Sequence, residues 1–222
     1  MQKGRAGLLP RPGTLSPSAL LSCWTSPAHV YDAFGNRIER LAWDGATTTH
    51  ERFVQDGWAN DKPVAVGNEN FDTILDLDGS NALVTRRVTG DGFDDLIARI
   101  SSAGTVGWYI TDRQGSVQSI LDNSGNIVAA YTYDGFGQVT YSTGSTDRYQ
   151  YTAREFDSAL GLMYYRARMY DRATGRFFGL DQHSFSAGDA NLYRYVGNSP
   201  TNGTDPSGNY IIVRGGRTVE EQ

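Results

Sequence analysis

The side chains best suited to chemistry crowd into one stretch, YYRARMYDRATGRFFGLD, from Tyr164 to Asp181, where arginines, aspartates and aromatics leave almost no room for aliphatic residues. Arginine forks can hold carboxylates, aspartates can carry protons, and aromatic rings can stack on bases or sugars. The same residues also make a scaffold. Tyr164, Tyr165, Tyr170, Phe177 and Phe178 would pack on alternate faces of strands, with Arg166, Arg168, Arg172 and Arg176 stacked on them or paired with acids. The pattern admits a catalytic constellation, a binding surface or a packed seam, and the seam is the first expectation. Asp alternates with Arg here, so no continuous basic face forms for nucleic acid.

The rest of the chain must position these residues, and its composition is that of a turn-rich β protein. Its 222 residues suffice for one domain or two small ones, and Gly 26 and Tyr 13 are high beside an ordinary 39% hydrophobic content. A net charge of −5, with 20 basic and 25 acidic residues interleaved, offers no electrostatic capture of nucleic acid or an anionic membrane. Cys23 is alone, so no intrachain disulfide forms, and His29, His50 and His183 are too scattered to make a zinc site. No apolar run approaches the roughly 18 to 20 residues of a membrane-spanning helix. Residues 1–30 are rich in Pro, Ser and Gly and read as a disordered leader or a poor signal segment. Within them, LLSC (Leu20 to Cys23) resembles a lipoprotein processing site, which keeps a lipid-anchored surface protein open as one alternative.

Beyond the leader the order is periodic. YDAFGNRI, TDRQGSV, LDNSGNIV and YDGFGQV each place an aspartate three residues before a glycine: Asp32/Gly35, Asp112/Gly115, Asp122/Gly125 and Asp134/Gly137. An aspartate at the first turn position accepts hydrogen bonds from the following amides, and the glycine tolerates positive φ. Aromatic and β-branched flanks make each unit strand, tight turn, strand. The last three turns begin 10 and 12 residues apart, the spacing of successive hairpins. DLDGSN (Asp76 to Asn81) opens like a calcium loop but carries Arg87 where the bidentate glutamate belongs. DDLIARISSAG (Asp94 to Gly104) suits a strand or a turn or two of helix. From about residue 31 to 208 the expectation is mainly β, built of repetitive antiparallel β-hairpins.

These Tyr-Asp turns, with GLMYYRARMYDRATGRFFGLDQHSFSAGDANLYRYVGNSPTNGTDPSG, resemble the Rhs/YD-repeat family and its C-terminal core-associated domain. The likeness is specific over about residues 105–208 and looser over 31–104. The resemblance implies a β-ribbon, 31–147, that is a fragment of a β-cage or shell. A core-associated plug, 148–209, follows it, and then a short tail, 210–222, with no effector domain. It also implies secretion or cell-surface placement. The partners it implies are the remainder of the shell or, in longer relatives, a C-terminal effector; no nucleic acid, membrane span or cofactor is expected.

In toxin members of this family the shell releases its effector by aspartic-type self-cleavage, with two aspartates and a nearby arginine. Carried over, these are Arg168, Asp181 and Asp205, cutting the Asn209–Tyr210 bond. Two adjoining carboxyls share a proton, one activating water while the other protonates the carbonyl or the leaving amide. Two positions depart from the family pattern. Gln182 follows Asp181 where the family has proline, and Asn209 stands in DPSGN where the family has leucine before the bond. A polar residue in an apolar pocket costs about 10- to 200-fold in rate. The leading expectation is therefore a structural, encapsulating shell fragment. The alternative is a single-turnover autoprotease.

Overall fold

The computed structural model describes residues 27–43, 46–56, 72–92, 94–213 and 217–218. Most of the leader, with Cys23, and most of the tail lie outside the described residues, and so do the expectations placed on them.

The periodic Asp–Gly units fold as an antiparallel meander. Ten strands pair strictly with their sequence neighbours: β1 (Ala28–Tyr31), β2 (Arg37–Trp43), β3 (Thr48–Gln55), β4 (Thr73–Asp78), β5 (Leu83–Thr89), β6 (Leu96–Ser101), β7 (Val106–Thr111), β8 (Val117–Leu121), β9 (Ile127–Tyr133) and β10 (Val139–Gly144). At each marked turn the aspartate acts as read from the sequence. Asp112 Oδ1 accepts the Gln114 and Ser116 amides at 2.8 and 2.9 Å. Asp32, Asp122 and Asp134 repeat the pattern. The calcium-like DLDGSN is a further copy: Asp78 binds the Ser80 and Ala82 amides, and Asn81, at φ 68°, takes the place of glycine. The ambiguous DLIARI is strand β6.

The remaining chain doubles back over one face of this sheet. A four-stranded sheet follows, β11 (Glu155–Asp157), β12 (Leu162–Tyr165), β13 (Arg168–Asp171) and β14 (Arg176–Phe177), again in sequential order. A small three-stranded one closes the described chain, β15 (Gly203–Thr204), β16 (Ile212–Val213) and β17 (Arg217–Thr218). Tyr109, Val117, Ile120 and Ala129 of the large sheet bury their side chains against Tyr149 and Ala153. A second cluster packs Tyr165, Tyr170, Phe177 and Tyr195 edge to face, with centroids 5.2–5.9 Å apart for all but the closer Tyr170–Tyr195 pair at 4.5 Å. The expected aromatic seam is thus present, with two corrections. Phe178 is 74% exposed, because it follows two-residue β14 and its alternation points it outward. Arg176 is exposed as well, whereas Arg172 stacks on Phe156 at 3.9 Å.

Between sheet and overlying segment runs a ladder of buried ion pairs. Arg40 reaches Asp157 at 2.7 and 2.9 Å, Arg37 reaches Glu155 at 2.5 Å, and Arg148 bridges Asp76 at 2.7 Å and Glu155 at 3.2 Å. Arg87 holds Asp76 at 2.6 Å, Arg99 holds Asp147 at 2.5 Å, and Asp94 takes both Arg154 at 2.5 Å and Arg166 at 2.9 Å. Burial alone would raise the Glu155 carboxyl, but Arg148 and Arg37 overcome it and hold the group at about 2.

Removing one member of such a pair strands a buried charge, so Glu155→Gln is expected to destabilise the fold by about 3–5 kcal/mol. Because the folded-state value lies below the unfolded one, the stability Glu155 supplies is complete above about pH 4.5 and drains away as pH falls toward about 2. Urea unfolding across pH 3–7 should show a flatter acid limb in the variant than in the parent.

Candidate functional site

Arg168, Asp181 and Asp205 come from three separate elements and meet. Arg168 opens β13, just after a tight turn in which Arg166 adopts φ 55°. Asp181 follows β14; its amide donates to the Leu192 carbonyl at 3.0 Å, and its Oδ1 accepts the His183 amide at 2.8 Å. Asp205 follows β15 and is almost wholly buried. The Arg168 guanidinium spans the two carboxylates, 3.0 Å from Asp181 Oδ2 and 3.5 Å from Asp205 Oδ2. It lies 3.7 Å over the Phe177 ring, and its Nε donates to the Gly208 carbonyl. Its Nη1 also donates to the Leu192 carbonyl at 3.3 Å, so the arginine is fixed by a ring, two acids and two backbone oxygens.

The TDPSGN segment wraps around Asp205. Its Oδ1 accepts the amides of Gly208 at 2.7 Å, Asn209 at 3.0 Å and Tyr210 at 3.2 Å, and lies 3.4 Å from Ser207 Oγ. Two backbone contacts clamp the turn onto the β12–β13 tip: the Ala167 amide donates to the Ser207 carbonyl at 3.0 Å, and Arg166 Nη1 donates to the Pro206 carbonyl at 2.5 Å. Gly208 sits at φ 78°, and a Cβ there would lie 2.4 Å from the Tyr165 carbonyl oxygen. Only glycine fits, a requirement the sequence carried in DPSG without declaring its cause.

Desolvation dominates the electrostatics. Burial pushes the Asp205 carboxyl up to about 6, although Arg168 and the three amides pull the other way. Burial also draws the Arg168 guanidinium down, partly offset by Asp205 and Asp181. The site thus holds one buried carboxyl that stays protonated under mildly acid conditions, a second carboxyl closer to solvent, and a cation between them. The Asn209 amide is less well served: Oδ1 is buried and has no hydrogen-bond partner among the described residues. No group of three or more His, Cys, Asp or Glu among the described residues could hold a metal ion, and no helix there is long and apolar enough to cross a membrane.

No family model matches the chain. It is 28% identical over 190 residues to the tRNA3(Ser)-specific nuclease WapA of Bacillus spizizenii, covering 82% of this chain and 7% of that protein. It is 37% identical over 108 residues to salivary gland surface protein 1 of Aedes aegypti, covering 47% of this chain and 3% of that protein. The chain thus spans a small fraction of the length of both relatives. The crystal structure of TcdB2-TccC3 superimposes on 82% of it and 9% of the larger chain, with a TM-score of 0.61 at 19% identity, a likeness of fold.

Two outcomes follow from this geometry. Gly208→Ala should cost about 1–3 kcal/mol in backbone strain alone, more once the contact with the Tyr165 carbonyl is included, seen as a lower Tm. For Asp205 the folded value is raised from 3.8 to about 6, so folding takes up a proton between those limits and stability declines as pH climbs through them. The parent should lose about 3 kcal/mol across that window that Asp205→Asn does not lose, measured by urea unfolding at successive pH values.

Proposed function

We propose that this chain is a segment of an Rhs/YD-repeat toxin shell, its ribbon (31–147) forming wall and its core-associated domain (148–209) closing over it. Its role is structural and encapsulating, at the cell surface or outside the cell, with the remainder of the shell or a C-terminal effector as partner. The uninterrupted ten-stranded meander, folded like part of TcdB2-TccC3, supports this. The nuclease activity named for WapA belongs to that protein, of which this chain matches only a small part.

The meeting of Arg168, Asp181 and Asp205 favours a second role, single-turnover self-cleavage of the Asn209–Tyr210 bond. In this reading Asp181, the more exposed carboxyl, takes the proton of an incoming water that attacks the Asn209 carbonyl carbon. Asp205, bonded to the Tyr210 amide, protonates that nitrogen as the C–N bond breaks. Arg168 holds the two carboxyls at their separation and anchors the strand at Gly208. Leucine in place of Asn209 removes an unpaired buried amide and is expected to raise hydrolysis by about 10- to 200-fold.

Intact-mass spectrometry tests this. Asn209→Leu should yield a fragment ending at residue 209 with one water added, and combining that change with Asp205→Asn or Asp181→Asn should leave the chain whole. A folded Asn209→Leu protein that stays uncut would overturn hydrolysis at this bond.

A further inference from the structure

The residue that departs from the family pattern brings its own nucleophile. We propose that Asn209 cleaves the Asn209–Tyr210 bond itself, its side-chain amide nitrogen closing on its own carbonyl carbon. This rests on the reading of Asp205 as the acid at that bond but replaces water as the attacking group. Three observations carry it. Asn209 Oδ1 is buried without a hydrogen-bond partner among the described residues, a costly state for an amide. With its carbonyl unbonded, the side-chain amide is not anchored against turning onto the backbone. The leaving nitrogen, that of Tyr210, lies 3.2 Å from Asp205 Oδ1, while the Asn209 amide on the other side is fixed by Asp205 at 3.0 Å and Ser207 Oγ at 3.1 Å. The backbone on both sides of the reacting carbonyl is thus held by hydrogen bonds, while the nucleophile has no hydrogen bond to the described residues, an arrangement that favours intramolecular attack.

The step balances without any co-reactant. Asn209 Nδ2 donates its electron pair to the Asn209 carbonyl carbon, and the resulting tetrahedral centre collapses by expelling the Tyr210 nitrogen with the electron pair of the C–N bond. Asp205 gives that nitrogen a proton, and the ring nitrogen sheds one that replaces it on the carboxyl. The products are a chain ending in a C-terminal succinimide at 209 and a second chain beginning with the free amine of Tyr210. No water is consumed, so Asp181 has no necessary part.

That difference makes the two routes separable at one bond. The parent, Asn209→Leu and Asp205→Asn are incubated as full chains, quenched in acid at early times and weighed intact, with near-ultraviolet circular dichroism confirming that each is folded. The parent should give an N-terminal fragment one water lighter than a hydrolysis product, and Asp205→Asn should be slowed by about 10²–10⁴-fold. Asn209→Leu should give no water-short fragment. A parent fragment carrying the full water from the earliest time point overturns the proposal and leaves hydrolysis standing. A whole parent beside a cut Asn209→Leu does the same. A parent and an Asn209→Leu variant that are folded and both whole overturn the proposal and the self-cleavage reading together.

Discussion

Buried arginine–carboxylate pairing is the constraint on which the rest of this structure depends. Arg37, Arg40, Arg87 and Arg99 project from the large sheet into a space that also receives Asp147, Glu155 and Asp157 from the overlying segment. Such pairs add little net stability compared with apolar contacts of the same shape, but they punish error heavily. A one-residue slip in any strand of the meander would turn its arginine to the outer face and leave an acid alone inside. Meanders built from similar hairpins are prone to register slips, and here the charges make every alternative register expensive.

The ladder also delivers the candidate site. Asp94 holds Arg154 and Arg166, and Arg166 in turn donates to the Pro206 carbonyl, next to Asp205. Two residues on, Arg168 takes Asp181 and Asp205. The tip of one hairpin, between β12 and β13, therefore carries the last structural rung and the first chemical one. The aromatic cluster, with Tyr165, Tyr170, Phe177 and Tyr195, reaches the site through the Phe177 ring under Arg168, and burial raises Asp205.

What could be read in the sequence was whatever is local. The Asp–Gly turns are specified within four residues, by an oxygen and a positive φ, and they stand where their spacing puts them. The Asn81 turn escaped only because asparagine can replace glycine there. The ladder was not legible, since its partners lie far apart in sequence: Arg40 and Asp157 are separated by 117 residues, Arg154 and Asp94 by 60. Arg87, which disqualified DLDGSN as a calcium loop, proves to be one of two cations, with Arg148, that pair with its Asp76. The site trio was legible through family resemblance alone, because no local pattern brings Asp181 to Asp205. Phe178 was misplaced because alternation names two faces without saying that only one of them is covered: Phe177 is buried and Phe178 exposed.

The last small sheet has a further consequence. β15 ends one residue before Asp205, and β16 begins two residues after Tyr210, with Gly203 opposite Val213 and Thr204 opposite Ile212. The Asn209–Tyr210 bond is thus in the loop of a hairpin whose stems are stitched together by main-chain hydrogen bonds. Breaking a loop does not part its stems. A nick there would leave the silhouette of the molecule unaltered, and the severed ends would separate only when the stitches themselves were undone.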